Sequence, residues 1–151
     1  MDIFISTFLK MFFIMAPFFA LTVFLTVTQE ASAKEKKALA IKVTVSVIIT
    51  SLILLFFGKH IFTIFGITLD AFRIGAGALL FLTAVELVKG SKDSAKVGDK
   101  EVLQLAVVPL SIPVIVGPGT IGILLVMGAT FEDTSSMVMG SLALVSAVLV
   151  I

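Results

Sequence analysis

Pro109-Leu110-Ser111-Ile112-Pro113-Val114-Ile115-Val116-Gly117-Pro118-Gly119-Thr120 gathers three prolines, two glycines and two hydroxyls inside Val102–Phe131, thirty residues without a charge. An apolar run of that length reads as a membrane span. Proline, however, removes a backbone donor and clashes with the carbonyl four residues earlier. On an unbroken helix Pro109, Pro113 and Pro118 would orphan the carbonyls of Leu105, Pro109 and Val114. In hydrocarbon an unsatisfied group costs on the order of several kcal/mol. Irregular backbone survives at that depth only under protein cover or beside a wet cavity, and broken helices mark transporter binding sites.

Gly117-Pro118-Gly119-Thr120 fits a helix restart, because proline suits the first helical position after a small residue. The amides of Gly119 and Thr120 would then point out of a half-helix N-terminus, whose positive dipole end suits an anion such as a substrate carboxylate. Ser111 and Thr120 could add hydroxyl contacts, and Pro113 shapes the unwound stretch. The plainer alternative is that the glycines permit close packing and the prolines only kink.

Arg73 and Glu86 are the other intramembrane candidates, and an ionisable group in a span is a functional hypothesis by default. They are thirteen residues apart, ~20 Å along a helix, so they cannot pair on one straight element. Arg73 could balance a substrate or Asp70, three residues earlier on the same face. Glu86 could relay a proton. Both lie near helix ends, where snorkelling to headgroups is the competing explanation, and Lys10 reads as a snorkeller too. The chain has no cysteine and one histidine, His60, so thiolate and multi-histidine metal sites are excluded and no cofactor is expected. No Ser–His pair, His-Glu-x-x-His or paired intramembrane aspartates point to an enzyme.

These residues sit on long apolar elements. Of 151 residues, 59% are hydrophobic and 14% charged, and the mean hydropathy is +1.22. Soluble domains carry about 25% charged residues, so the expectation is an all-α polytopic membrane bundle in one transmembrane domain. Net charge of +1 argues against nucleic acid as a partner. The N-terminus lacks a positive n-region, so the first apolar run is a retained span rather than a signal peptide.

Five spans are expected: about Ile3–Thr28, broken at Pro17; Ala38–Phe57; Ala71–Val88; the proline-rich run; and Thr134–Ile151. Ile61–Leu69 is a tail of the second span or an interfacial turn. Phe4, Phe8 and Phe12 form one helical stripe. Ala71, Gly75 and Ala78 form a small-residue face that would admit another helix. Lys34, Lys36 and Lys37 crowd the first loop and Lys89, Lys92, Lys96 and Lys100 the third, while the turn after the fourth span has no cation. The positive-inside rule then puts the loops near 29–37 and 89–101 in the cytoplasm and the N-terminus outside.

Shifted by 101 residues, Met15-Ala16-Pro17 falls on Val116-Gly117-Pro118, Ile14 on Ile115 and Leu9 on Leu110. The first span runs inward and the fourth outward, so the halves, about 1–90 and 102–151 around the loop at 90–101, would form an inverted repeat. Matching broken helices in two such halves point to a midplane site, with Pro17 opposite Gly117–Thr120. Three spans per half predicts six, one more than this chain supplies.

Three segments together resemble the MarC family of bacterial inner-membrane proteins: Ala106–Ile121 with its Pro-Leu-x-Ile-Pro-x-x-x-Gly-Pro-Gly element, Phe72–Leu82 running on to Glu86, and Met15–Leu25. Where that family has Asn or Asp before its first proline, this chain has Ala16, followed by Pro17, Phe18 and Phe19. The resemblance implies six spans in the cell inner membrane and, for some members, carriage of glycine, alanine and related amino acids. The expected function is a secondary transporter of small neutral solutes, amino acids first among them. The substrate-binding candidates are Pro17, Ser111, Pro113, Gly117, Pro118, Gly119 and Thr120, and the ion- or proton-coupling candidates are Arg73 and Glu86. Proton or sodium coupling and a homo-oligomer both stay open. The rival reading is a non-transporting membrane scaffold or assembly partner.

Overall fold

The computed structural model describes residues 2–89 and 115–151, and Ser111 and Pro113 lie outside them. Among the described residues six helices form: α1 Asp2–Ile14, α2 Pro17–Val27, α3 Ala33–Phe65, α4 Leu69–Lys89, α5 Pro118–Thr130 and α6 Thr134–Val150. The expectation of an all-helical chain is met.

α1 and α2 are one broken element, bent by 44° where Pro17 enters. Pro17 has no N–H to give the Phe13 carbonyl, and the amide of Ala16 fills that place at 3.1 Å. The chain then turns through Ala16 in the left-handed region, φ 46° and ψ 68°, and restarts with Pro17 in the first turn. An L-residue there costs ~1–2 kcal/mol. Ala16→Gly is therefore expected to stabilise the fold by about 1 kcal/mol, glycine's larger unfolded-state entropy offsetting part of the relief. Denaturant unfolding in detergent micelles checks this, and a lower midpoint would show that the alanine methyl holds the break.

α3 is one rod of 33 residues, ~50 Å long and so longer than the ~30 Å hydrocarbon layer. Lys42 and Lys59 lie seventeen residues apart within it, ~25 Å, which brackets the part that fits inside a bilayer. The apolar tail after Lys59 continues this helix to Phe65, where Gly66 closes it at φ 61°. The start falls earlier than the loop expected at Gln29–Lys37: Ser32 caps the helix, its amide donating to Glu35 Oε2 at 2.8 Å and its hydroxyl accepting from the Glu35 amide at 3.4 Å. This reciprocal pair is a capping box. Among the described residues, α3 is the one helix long and apolar enough to cross a membrane unaided, and α1 with α2 makes a second if the bent pair is one span.

α6 starts at Thr134, where the fifth span is expected to begin. Asp133 accepts from the amide of Ser136 at 2.9 Å and from its hydroxyl at 2.6 Å. The Ser136 hydroxyl first, then its backbone, holds the fully exposed Asp133 carboxyl below its usual value. A lowered folded-state pKa contributes stability that is complete above the unfolded value and is lost as pH falls through the folded one. Acidification below the ordinary aspartate range is thus expected to loosen the first turn of α6, read by amide exchange at Ser135 and Ser136 corrected for its intrinsic pH dependence. Asp133→Asn should keep the cap and abolish that dependence.

The core is built from α3, α5 and α6 with the broken pair α1 and α2. α3 packs on α5 and α6, α1 on α6, and α4 on α5. Leu39, Val43, Val47, Ser51 and Leu55 recur every four residues as the buried edge of α3. α3 and α5 touch backbone to backbone, running in opposite directions: Gly58 lies against the Leu125 carbonyl and Gly128 against that of Leu55. The expected aromatic stripe stands, with Phe4, Phe8 and Phe12 stacked at centroid separations of 6.4 and 6.2 Å. Among the described residues, no helix lies on the expected small-residue face of α4. Ala71, Gly75 and Ala78 are exposed, and α4 meets α5 instead through Phe72, Ala76 and Leu80, which lie over Gly119 and Gly122. Phe18, Phe13, Ile64 and Ile74 are more than 70% exposed, a surface suited to lipid rather than water.

Candidate functional site

Two proline-led helix starts frame the interior. α2 begins with Ala16 then Pro17, and α5 with Gly117 then Pro118, 101 residues on. α3 and α6 begin at Ala33 and Thr134, again 101 residues apart, each after a side chain that caps the amide three residues on. Leu39, Val43 and Val47 on α3 and Gly140, Leu144 and Val148 on α6 are buried at the same spacing.

At the second start the free carbonyl is satisfied from a side chain. Thr120, 2% exposed, donates its hydroxyl to the Ile115 carbonyl at 3.0 Å. The hydroxyl read in the sequence as a solute contact thus holds the broken backbone. The Ile121 amide reaches Gly117 at 2.9 Å, so the helix proper starts there, and the earlier amides of Gly119 and Thr120 have no acceptor within it. Gly119 is not open on its α-carbon side: an added Cβ would meet Leu80 Cδ2 at 2.5 Å and Ile14 Cδ1 at 3.4 Å.

Both breaks reach one cavity of about 200 Å³. Met15, just before the first break, and Ile115, just before the second, line it with Val43, Thr44 and Val47 of α3 and Val148 of α6. Among the described residues, Thr44 brings the one side-chain hydroxyl to this lining, which is otherwise apolar. Met15 and Val116, just before the two helix starts, are each 1% exposed, whereas Ala16 and Pro118 beside them are exposed.

A second cavity, about 310 Å³, opens between α1, α4 and α5. Arg73 and Gly119, singled out separately in the sequence, both line it, together with Lys10. Arg73 Nη1 donates to Asp70 Oδ1 at 3.1 Å, the partner expected one turn earlier, with both side chains at least half exposed. Pro17, Gly117, Pro118 and Thr120 line neither cavity; their part is to interrupt the helices. Glu86 belongs to α4. Sequence reasoning missed Lys10, taken for a headgroup anchor. The signal available was its position about 12 Å along α1 from Asp2, within the broken element rather than at its end.

A 33-residue apolar rod, two shorter apolar helices begun by proline, and a surface of large apolar side chains fit an integral membrane protein. The whole chain, residues 1–151, matches the MarC family of integral membrane proteins, and it belongs to that family. It is 36% identical over 136 residues to a UPF0056 membrane protein of Methanocaldococcus jannaschii, covering 86% of this chain and 66% of that one. It is 40% identical over 113 residues to one of Pyrococcus horikoshii, covering 74% and 56%, and 35% over 131 residues to one of Aquifex aeolicus, covering 83% and 61%. The chain therefore spans less than two thirds of the length of these relatives. No solved structure matches it.

Proposed function

We propose that this protein is a secondary transporter of small neutral solutes, amino acids first among them, in the cell inner membrane. The observation that carries the reading is the meeting of the two proline-led breaks at one cavity of about 200 Å³. A plain structural kink needs no cavity. Paired interruptions at corresponding places in two halves, with a chamber between them, are how carriers expose backbone groups to a solute. The 101-residue spacing of both helix starts supports an inverted repeat of about 1–90 and 102–151, with six spans in the whole protein and cytoplasmic loops near 29–37 and 89–101. The solute's carboxylate would meet the first turn of α5, Gly117–Thr120, with the Pro17 break opposite; within that turn it is Gly119 that faces a cavity, the groove beside α1 and α4 rather than the chamber. Arg73 and Glu86 serve coupling to a proton or sodium.

The chamber's size and apolar lining favour glycine- or alanine-sized solutes over larger ones, since ligand pockets of ordinary drug size run to about 300–1,000 Å³. Reconstitution in liposomes tests this. Labelled glycine, alanine and serine are offered with and without a pH or sodium gradient, and saturable uptake is the expected result. A membrane scaffold gives no flux for any solute.

A further inference from the structure

We propose that the groove between α1, α4 and α5 is a carboxylate site whose charge is supplied by Lys10 and Arg73. This deepens the transporter reading and rests on it for the identity of the solute. The two cations come from different helices and line one cavity with Ala76, Gly77, Gly119 and Gly122. Those four residues have little or no side chain, so the wall between the cations leaves space for a small guest. Ionisable side chains within membrane elements are costly and are ordinarily paired. Lys10 sits inside a broken element otherwise apolar from Ile3 to Ile14 save for Ser6 and Thr7.

Asp70 answers the charge of Arg73 through Nη1, and the rest of the planar guanidinium fork can serve a second acceptor. Among the described residues no carboxylate pairs with Lys10. Among the described residues the groove thus holds one cation more than the acids beside it neutralise. A carboxylate bridging Lys10 Nζ and the free edge of Arg73 would correct that balance. The first turn of α5, which Gly119 brings to the same groove, adds positive dipole character. The guest is taken to be a small carboxylate rather than a lipid phosphate because the groove holds about 310 Å³ and its small lining residues, Ala76, Gly77, Gly119 and Gly122, leave space for a small group.

The test uses the purified protein in nanodiscs, with Lys10 acylation by an amine reagent read by mass spectrometry and labelled alanine binding measured alongside. Alanine and propionate should protect Lys10, and alaninamide, which lacks the carboxylate, should not. Lys10→Gln and Arg73→Gln should each weaken alanine binding at least tenfold, while Lys10→Arg retains most of it and Lys59→Gln changes nothing. Should Arg73→Gln fail to fold, the contrast between Lys10→Gln and Lys10→Arg still decides. Equal protection by alaninamide, unchanged binding in the Lys10→Gln variant, or protection by anionic lipid alone with nothing added by alanine would each overturn the site. Protection without any liposome flux would remove transport and leave the site. Flux unaffected by both variants would remove the site and leave transport.

Discussion

Gly128→Ala is expected to cost ~3 kcal/mol or more, the upper end of what overpacking a tight contact brings. The sign is the informative part. In a helix interior, alanine is ordinarily better than glycine by about 1 kcal/mol, so the substitution should stabilise wherever space exists. At Gly128 the new methyl would land on the Leu55 carbonyl oxygen, and on its carbon at 2.9 Å, both backbone atoms of α3 that no rotamer change can move. Gly58 makes the reciprocal contact, its Cβ position 2.5 Å from the Leu125 carbonyl oxygen. Either alanine must push two helices apart along a crossing flanked by the fully buried Leu55 and Leu124, opening voids that the close fit now excludes.

The matched control is Gly75→Ala, where nothing lies within 4 Å, and a gain of ~0.5–1 kcal/mol is expected. Gly58→Ala and Gly128→Ala together should cost less than the sum of the two, by ~1 kcal/mol or more, because the first has already separated the helices. Unfolding in mixed micelles, followed by helical circular dichroism, reads all four variants. A Gly128→Ala protein as stable as its parent would mean that α3 and α5 do not meet in this way.

That pair of glycines also shows where the sequence stopped being legible. Small residues announce that a close approach is available and say nothing of which helix makes it. Ala71, Gly75 and Ala78 share a face and were the natural choice, yet α4 uses Phe72, Ala76 and Leu80 while Gly58 and Gly128 hold the tightest crossing. In a soluble protein the polar side of each helix would have settled the matter. These helices are apolar nearly all round, so no amphipathic stripe distinguishes inside from outside. Helix starts were far easier to read, because their signals are local: Pro17 and Pro118 in first turns, Asp133 before Thr134. The Ser32–Glu35 capping box carried the same kind of signal for α3 but was masked by the run of lysines beside it. The candidate site divides along the same line. Gly119 and Arg73 could be chosen for their chemistry, but only the fold brings them to one groove and adds Lys10. Thr120 shows the converse: a hydroxyl suited to a solute is used by the backbone at Ile115.

Ala40→Phe should abolish transport while leaving the fold in place. Ala40 lines the chamber between the breaks and is itself exposed, so a larger side chain there grows into empty space rather than into packed neighbours. Leu39 beside it is fully buried and is left untouched, as is the four-residue ladder that seats α3. The cost to stability is then limited to the helix propensity of phenylalanine against alanine, within ~0.7 kcal/mol, and the unfolding midpoint should move by only a few degrees. The chamber, at about 200 Å³, has little room to share with an aromatic ring, so alanine uptake into liposomes should fall at least tenfold. Ile41→Phe supplies the control. Ile41 is 56% exposed and does not line the chamber, so the same aromatic ring at the neighbouring position leaves the space unfilled, and flux should persist. Equal flux in the Ala40→Phe and Ile41→Phe proteins would show that solute does not pass through this chamber, and the breaks at Pro17 and Pro118 would then be structural kinks.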